Sequence, residues 1–156
     1  DIDPPLLDQH AATLVSESEY AMRDDARRFE NWECYFAGKA ALGTAIDYAL
    51  AWGMPAIWKR VTAVADDLRA KLATVPGVTV TDQGLAKCGI VTFTKKGEDL
   101  PALRQRLLEQ KINISVSTGS GSRVGFDRRG LDAVVRASVH YLTSEEEVDR
   151  LIAAIR

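Results

Sequence analysis

The segment VVRASVHYLTSEEEVDRL, Val134 to Leu151, places a strand and a helix end to end. Side chains alternate along a strand, so Val135, Ala137, Val139 and Tyr141 share one face and Val134, Arg136, Ser138 and His140 share the other. Directly after, Thr143-Ser144-Glu145-Glu146 has the pattern of a capping box, in which the Thr143 hydroxyl and the Glu146 carboxylate satisfy free backbone N–H groups. Val148, Leu151, Ile152 and Ile155 then recur at helical spacing. A strand with one apolar face beside a helix with one apolar stripe implies a sheet covered by helices on one side. The other side is then bare and presents a guanidinium, a hydroxyl and an imidazole in a row.

Upstream, the same logic gives the remaining elements. Glu30 to Trp52 is Ala-rich and reads as a long helix; Gly38 and Gly43 inside it imply close packing against another backbone. Pro55 suits the first turn of a second helix with the stripe Ile57, Val61, Val64, Leu68 and Leu72, ended by Pro76-Gly77. Val78 to Thr81 and Cys88 to Thr94 read as strands joined through Asp82-Gln83-Gly84. Asp99 caps a third helix, with Leu100, Leu103, Leu107 and Leu108 on one face. Ile112, Ile114 and Val116 alternate with polar residues as in a half-buried strand, followed by the flexible loop Thr118 to Ser122 and a strand from Ala133 to Tyr141. Residues 1–28 show no clear period. Helices segregated from antiparallel strands predict an α+β two-layer sandwich, a small mainly antiparallel sheet with helices on one face.

A length of 156 residues with 46% hydrophobic and 27% charged residues suits a single core. The formal charge of −2, with both signs scattered, disfavours nucleic acid as a partner. No apolar run approaches the roughly 20 residues that cross a bilayer, and the start lacks a secretion-signal layout, so we expect no membrane contact and a cytoplasmic location. Cys34 and Cys88 lie far apart, and His10 and His140 are solitary, so two quiet thiols and no metal site are expected. The chain opens at Asp1 without an initiator methionine, which suggests a fragment or a processed product.

Arg136 is the residue that a plain core does not explain. Its rigid fork of donors suits bidentate capture of a carboxylate, worth about 1.5 to 3 kcal/mol. The structural alternative is a surface pair with Asp132 or Glu147, worth about 0 to 1 kcal/mol.

Two segments together, ARRFENWECYFAGKAALGTAIDYALAWG (Ala26 to Gly53) and GLDAVVRASVHYLTSEEEVDRL (Gly130 to Leu151), resemble the C-terminal part of class V aminotransferases. These are pyridoxal-phosphate (PLP) enzymes of fold type I that include cysteine desulfurases and isopenicillin-N-epimerase-like proteins, and the chain most resembles the epimerase-like branch. The resemblance covers residues 20–156. It implies that Arg136 binds the α-carboxylate of an amino-acid substrate. It also implies that Arg28-Phe29-Glu30 enters the small domain near the cofactor and the dimer partner, with Asn31 as a donor to the phosphate of a neighbouring subunit where desulfurases carry Gly-Thr. Residues 1–28 would then bridge from a large N-terminal domain, and 29–156 would form the small C-terminal domain.

The lysine that forms the Schiff base, the aspartate at the pyridine nitrogen and the phosphate cup belong to that large domain in the family. None of Lys39, Lys59, Lys71, Lys87, Lys95, Lys96 and Lys111 sits in the family's lysine motif. The resemblance therefore implies no catalytic residue in this chain, no PLP held by it alone, and a homodimer in the parent. The stretch SVSTGSGSRVGFDRRG lacks the cysteine that desulfurases use to form a persulfide, which disfavours that reaction and leaves transamination, epimerisation and C–S or β-elimination. The rival reading is a stand-alone domain that binds a small carboxylate or mediates dimerisation without chemistry.

Overall fold

The computed structural model describes residues 2–156; Asp1 lies outside the described residues. The chain divides into two compact units, one up to Ala51 and one from Trp52 to Arg156.

The first unit opens with a small hairpin that the sequence pattern did not reveal. Strands β1 (Ala12–Leu14) and β2 (Tyr20–Met22) pair antiparallel with Thr13 opposite Ala21, and the turn closes where Val15 N donates to Glu19 O at 2.9 Å. The strands are three residues each and mostly exposed, too short to print a period on the sequence. A 3-10 turn follows at Ala26–Phe29, capped by the Asp25 carboxylate, which accepts from Arg27 N at 2.9 Å. Asp8 ties the two ends of this segment together by accepting from Trp32 N at 2.6 Å and His10 N at 2.8 Å.

Helix α1 runs Phe36–Trp52 rather than from Glu30, and none of its residues is buried. The expectation for its glycines also needs correction. A Cβ at Gly38 would collide with the Tyr35 ring, so that glycine makes room for a side chain and not for a second backbone; nothing lies within 4 Å of the position at Gly43.

In the second unit, α2 (Met54–Ala73) begins after Gly53, whose φ of 85° is open to glycine, and carries Pro55 in its first turn. It buries Val64, Ala65, Leu68 and Leu72. Strands β3 (Val78–Val80) and β4 (Ile90–Lys95) pair antiparallel, as their turn chemistry predicts. Asp99 caps α3 (Leu100–Glu109) by accepting from Ala102 N at 3.2 Å. Strand β5 (Ser115–Thr118) starts later than the alternation suggested, with the buried Ile114 just before its ladder. The segment after it is no plain loop: a 3-10 turn at Gly119–Gly121 leads into the short helix α4 (Arg123–Asp127), which buries Phe126. Strand β6 (Ala133–Ser138) and helix α5 (Glu145–Ile155) complete the unit.

The four strands order as β3-β4-β6-β5, every pair antiparallel. Val91, Phe93, Val135 and Ala137 point from the sheet into one core with Leu68, Leu72, Leu103, Leu107, Leu151, Ile152 and Ile155 from the helices. The architecture is the α+β two-layer sandwich that the sequence implied. The capping box at α5 is displaced by one residue: Ser144 Oγ accepts from Glu147 N at 3.2 Å while Glu147 Oε2 accepts from Ser144 N at 2.9 Å. Thr143 Oγ1 instead accepts from His140 N at 2.9 Å.

Candidate functional site

Arg136 sits in the middle of β6, between the core residues Val135 and Ala137, so its side chain leaves the sheet on the side away from α2, α3 and α5. Across the sheet it faces Thr92 on β4 and Ser115 on β5. Beyond Thr92, Thr81 continues the row: Thr81 N donates to Thr92 O at 2.7 Å and the Thr81 hydroxyl donates to Thr92 Oγ1 at 2.9 Å. Arg129, just after α4, donates to the Thr81 carbonyl and closes the row at its outer end.

Arg136 is half-buried and makes no hydrogen bond or ion pair with any described residue. The surface-pair alternative fails on both partners. Glu147 spends its carboxylate on the helix cap, and Asp132 is exposed and engages Gly119 N through its backbone carbonyl at 3.0 Å. The outward positions of the four strands hold no acidic residue, so the guanidinium is left with unused donors. That face is not bare throughout, as the sequence suggested: Val134 is buried on it, and the buried Phe126 lies against Gly119 at the end of β5.

Several other charged groups of the second unit are already committed. Arg69 donates to Asp82 Oδ2 at 2.8 Å and to the Cys88 carbonyl at 2.7 Å, which fixes the β3–β4 connection. Lys71 bridges Asp67 at 2.8 Å and Asp149 at 2.6 Å, and those carboxylates, Asp149 first, raise its pKa well above the ordinary lysine value. Lys95 donates to the Ile155 carbonyl and pairs with Glu98 at 3.2 Å, and Glu98, held chiefly by Arg106 at 2.6 Å, stays below the ordinary carboxylate range. None of these is a free amine placed for Schiff-base chemistry.

In the first unit, Arg28 and Asn31 lie at the end of the 3-10 turn. The Arg28 Nε is buried without a hydrogen-bond partner, its guanidinium 5.5 Å from the Phe29 ring centroid. Asn31 is exposed and lines a groove with His10, Glu30, Trp32 and Phe36, where His10 Nε2 is 3.3 Å from Glu30 Oε2. No cluster of metal-ligating side chains forms among the described residues, both cysteines are free, and no described helix is long and apolar enough to cross a membrane.

The family model described as aminotransferase class-V matches residues 2–151. The chain belongs to the class-V aminotransferase family. This class-V chain is 26% identical over 155 residues to a probable cysteine desulfurase of Methanothermobacter thermautotrophicus, covering 97% of the chain and 38% of that relative. It is 29% identical over 130 residues to a cysteine desulfurase of Synechococcus elongatus, covering 83% of the chain and 20% of that relative. Among solved structures, the cysteine desulfurase CsdA of Escherichia coli superimposes with a TM-score of 0.82 at 18% identity, over 98% of the chain and 38% of that protein. The cysteine desulfurase of Thermococcus onnurineus gives 0.82 at 22% identity, over 96% and 38%. These likenesses establish the fold, and the class-V chain spans well under half the length of the relatives it matches.

Sequence reasoning placed Arg136 on the outward face of its strand but missed the row around it. Alternation places Thr92 on a named face, yet nothing in one sequence states which residue of β4 lies opposite which residue of β6. The Arg129 contact was equally hidden, because it depends on α4 folding where the sequence read as a loop.

Proposed function

We propose that the chain is the small C-terminal domain of a PLP-dependent class-V enzyme that acts on an amino acid, and that Arg136 grips the substrate's α-carboxylate. The observation that carries this reading is the half-buried guanidinium of Arg136, without a partner among the described residues, on a sheet face whose outward positions hold no acid. A guanidinium without a counter-charge is unfavourable where it is partly desolvated, and a ligand carboxylate supplies that charge through two parallel hydrogen bonds. With the family established and the chain spanning 38% of its Methanothermobacter relative, a large domain is the first partner this reading requires. Residues 1–28 lead from it and 29–156 form the small domain.

The residues present suit PLP as contributors and not as its main holders. Asn31 offers an exposed amide and Arg28 an unsatisfied Nε, both donors of the kind a phosphate accepts, and they would serve the cofactor of a second copy in a homodimer. PLP, when bound, supplies an electron sink for negative charge on the substrate's α-carbon. The chain's own part is to hold the carboxylate end still, which orients the bonds at that carbon. One structural relative, C-DES, is a cystine C-S lyase whose structure holds its reaction product cysteine persulfide. The segment 115–130 of the present chain has no cysteine to take up sulfur, so our reading favours transamination, epimerisation or C–S/β-elimination over desulfuration through an enzyme persulfide.

In the full-length protein, Arg136→Ala is expected to weaken amino-acid binding by about one to two orders of magnitude while PLP affinity stays unchanged. Titration calorimetry with each ligand measures both. Equal losses for amino acid and PLP, or no loss for the amino acid, contradict the assignment.

A further inference from the structure

We propose that Thr92 is a second carboxylate-binding residue, its hydroxyl donating to the same ligand group that Arg136 grips; this rests on the reading of Arg136 given above. Thr92 and Arg136 are directly opposite on paired strands, and such pairs carry their Cβ atoms about 4.5 to 5.5 Å apart on one face. A hydroxyl has one proton to donate. Thr81 donates its proton to Thr92 Oγ1 at 2.9 Å, so the Thr92 oxygen is already engaged as an acceptor and its own proton must find an acceptor elsewhere. Its neighbour on the other side, the Arg136 guanidinium, accepts nothing. A carboxylate bound to Arg136 has lone pairs beyond the two that the fork takes, and one of them is the acceptor the Thr92 hydroxyl lacks.

The row is also held in place. Thr81 is fixed to Thr92 through its backbone N–H at 2.7 Å as well as its hydroxyl, and Arg129 donates to the Thr81 carbonyl from the other side. Hydrogen bonds in sequence polarise one another, so Thr81 makes the Thr92 proton a better donor. Both side chains are partly buried, which limits competition from water. The ligand group is therefore a carboxylate held by three donors, two from Arg136 and one from Thr92.

The test uses the full-length protein, with L-alanine as probe and L-alaninamide as the control that lacks the carboxylate. Thr92→Val keeps the shape and the strand preference and removes the hydroxyl. It is expected to raise the Kd for L-alanine about tenfold and leave L-alaninamide unchanged, with Thr92→Ser restoring the affinity. Thr81→Val, one link back, is expected to cost about threefold and also serves if Thr92→Val fails to fold. If Thr92→Val leaves L-alanine binding intact while Arg136→Ala weakens it, Thr92 has no binding role and the Arg136 reading stands. If Thr92→Val weakens both probes equally, its role is structural and the proposal falls. If Arg136→Ala leaves L-alanine binding intact, the reading of the site falls and this proposal with it.

Discussion

Gly89 shows how little room single residues have behind the site. A Cβ there would lie 2.6 Å from Val61 Cγ1 and 2.9 Å from the Val139 carbonyl, which accordingly holds the end of β6 close to the start of β4. Gly89→Ala must push α2 or the strand aside, and overpacking of this kind costs about 1 to 3 kcal/mol; thermal unfolding should show a clear drop, and an unchanged melting point would mean that the strand end yields freely. Asp8 governs the first unit in a different way. Its carboxylate accepts from the backbone N–H of Trp32 first, then of His10 and Ala11, and these bonds hold its pKa below the ordinary value of 3.8. A depressed carboxylate contributes stability that is fully present above the unfolded pKa and lost as pH falls through the folded one. The Trp32 amide resonance should therefore titrate with a midpoint below 3.8, and Asp8→Asn should weaken that dependence; a midpoint at the ordinary value would show that the bond does not form.

The helix start at α5 separates what a sequence can state from what it cannot. The run Thr-Ser-Glu-Glu-Glu offers two overlapping capping boxes, Thr143 with Glu146 and Ser144 with Glu147, and only the second forms. The choice is made by the turn before it, where Thr143 Oγ1 is taken by His140 N. Ser144→Ala should cost about 1 kcal/mol in urea unfolding, with Thr143→Ala costing less; the reverse order would restore the register that the sequence suggested. The same distinction runs through the fold. Elements with a long apolar stripe or clean alternation, α2, α3, α5, β4 and β6, were legible because burying that stripe in one core dictates their period. The β1–β2 hairpin and α4 were not: each spans a few residues, and their order comes from individual bonds such as Arg23 Nε to His10 O at 2.6 Å and from the burial of Phe126. Arg136 was legible as a face, because two-residue alternation fixes it, whereas its neighbours Thr92 and Ser115 required the register between strands.

The largest apolar surface of the first unit lies on helix α1, which buries none of its residues. An Ala-rich helix exposing Leu42, Ile46 and Leu50, with Trp32, Tyr35 and Phe36 exposed just before it, is apolar on more than one side. Soluble monomers seldom leave contiguous apolar patches beyond a few hundred Å² in water, so contact with protein is the expected state of this surface. In the reading proposed above it meets the large domain or a second copy; with neither present, the 156-residue chain should associate with itself. Light scattering across a concentration series is expected to give a mass above that of one chain and rising with concentration. Leu42→Glu with Ile46→Glu places two charges one turn apart on α1 and should return the mass to that of a monomer without lowering the melting temperature of the second unit, whose core contains neither residue. A wild-type chain that stays monomeric at high concentration would mean that α1 is soluble as it stands, and the argument that its apolar surface calls for a partner would fail.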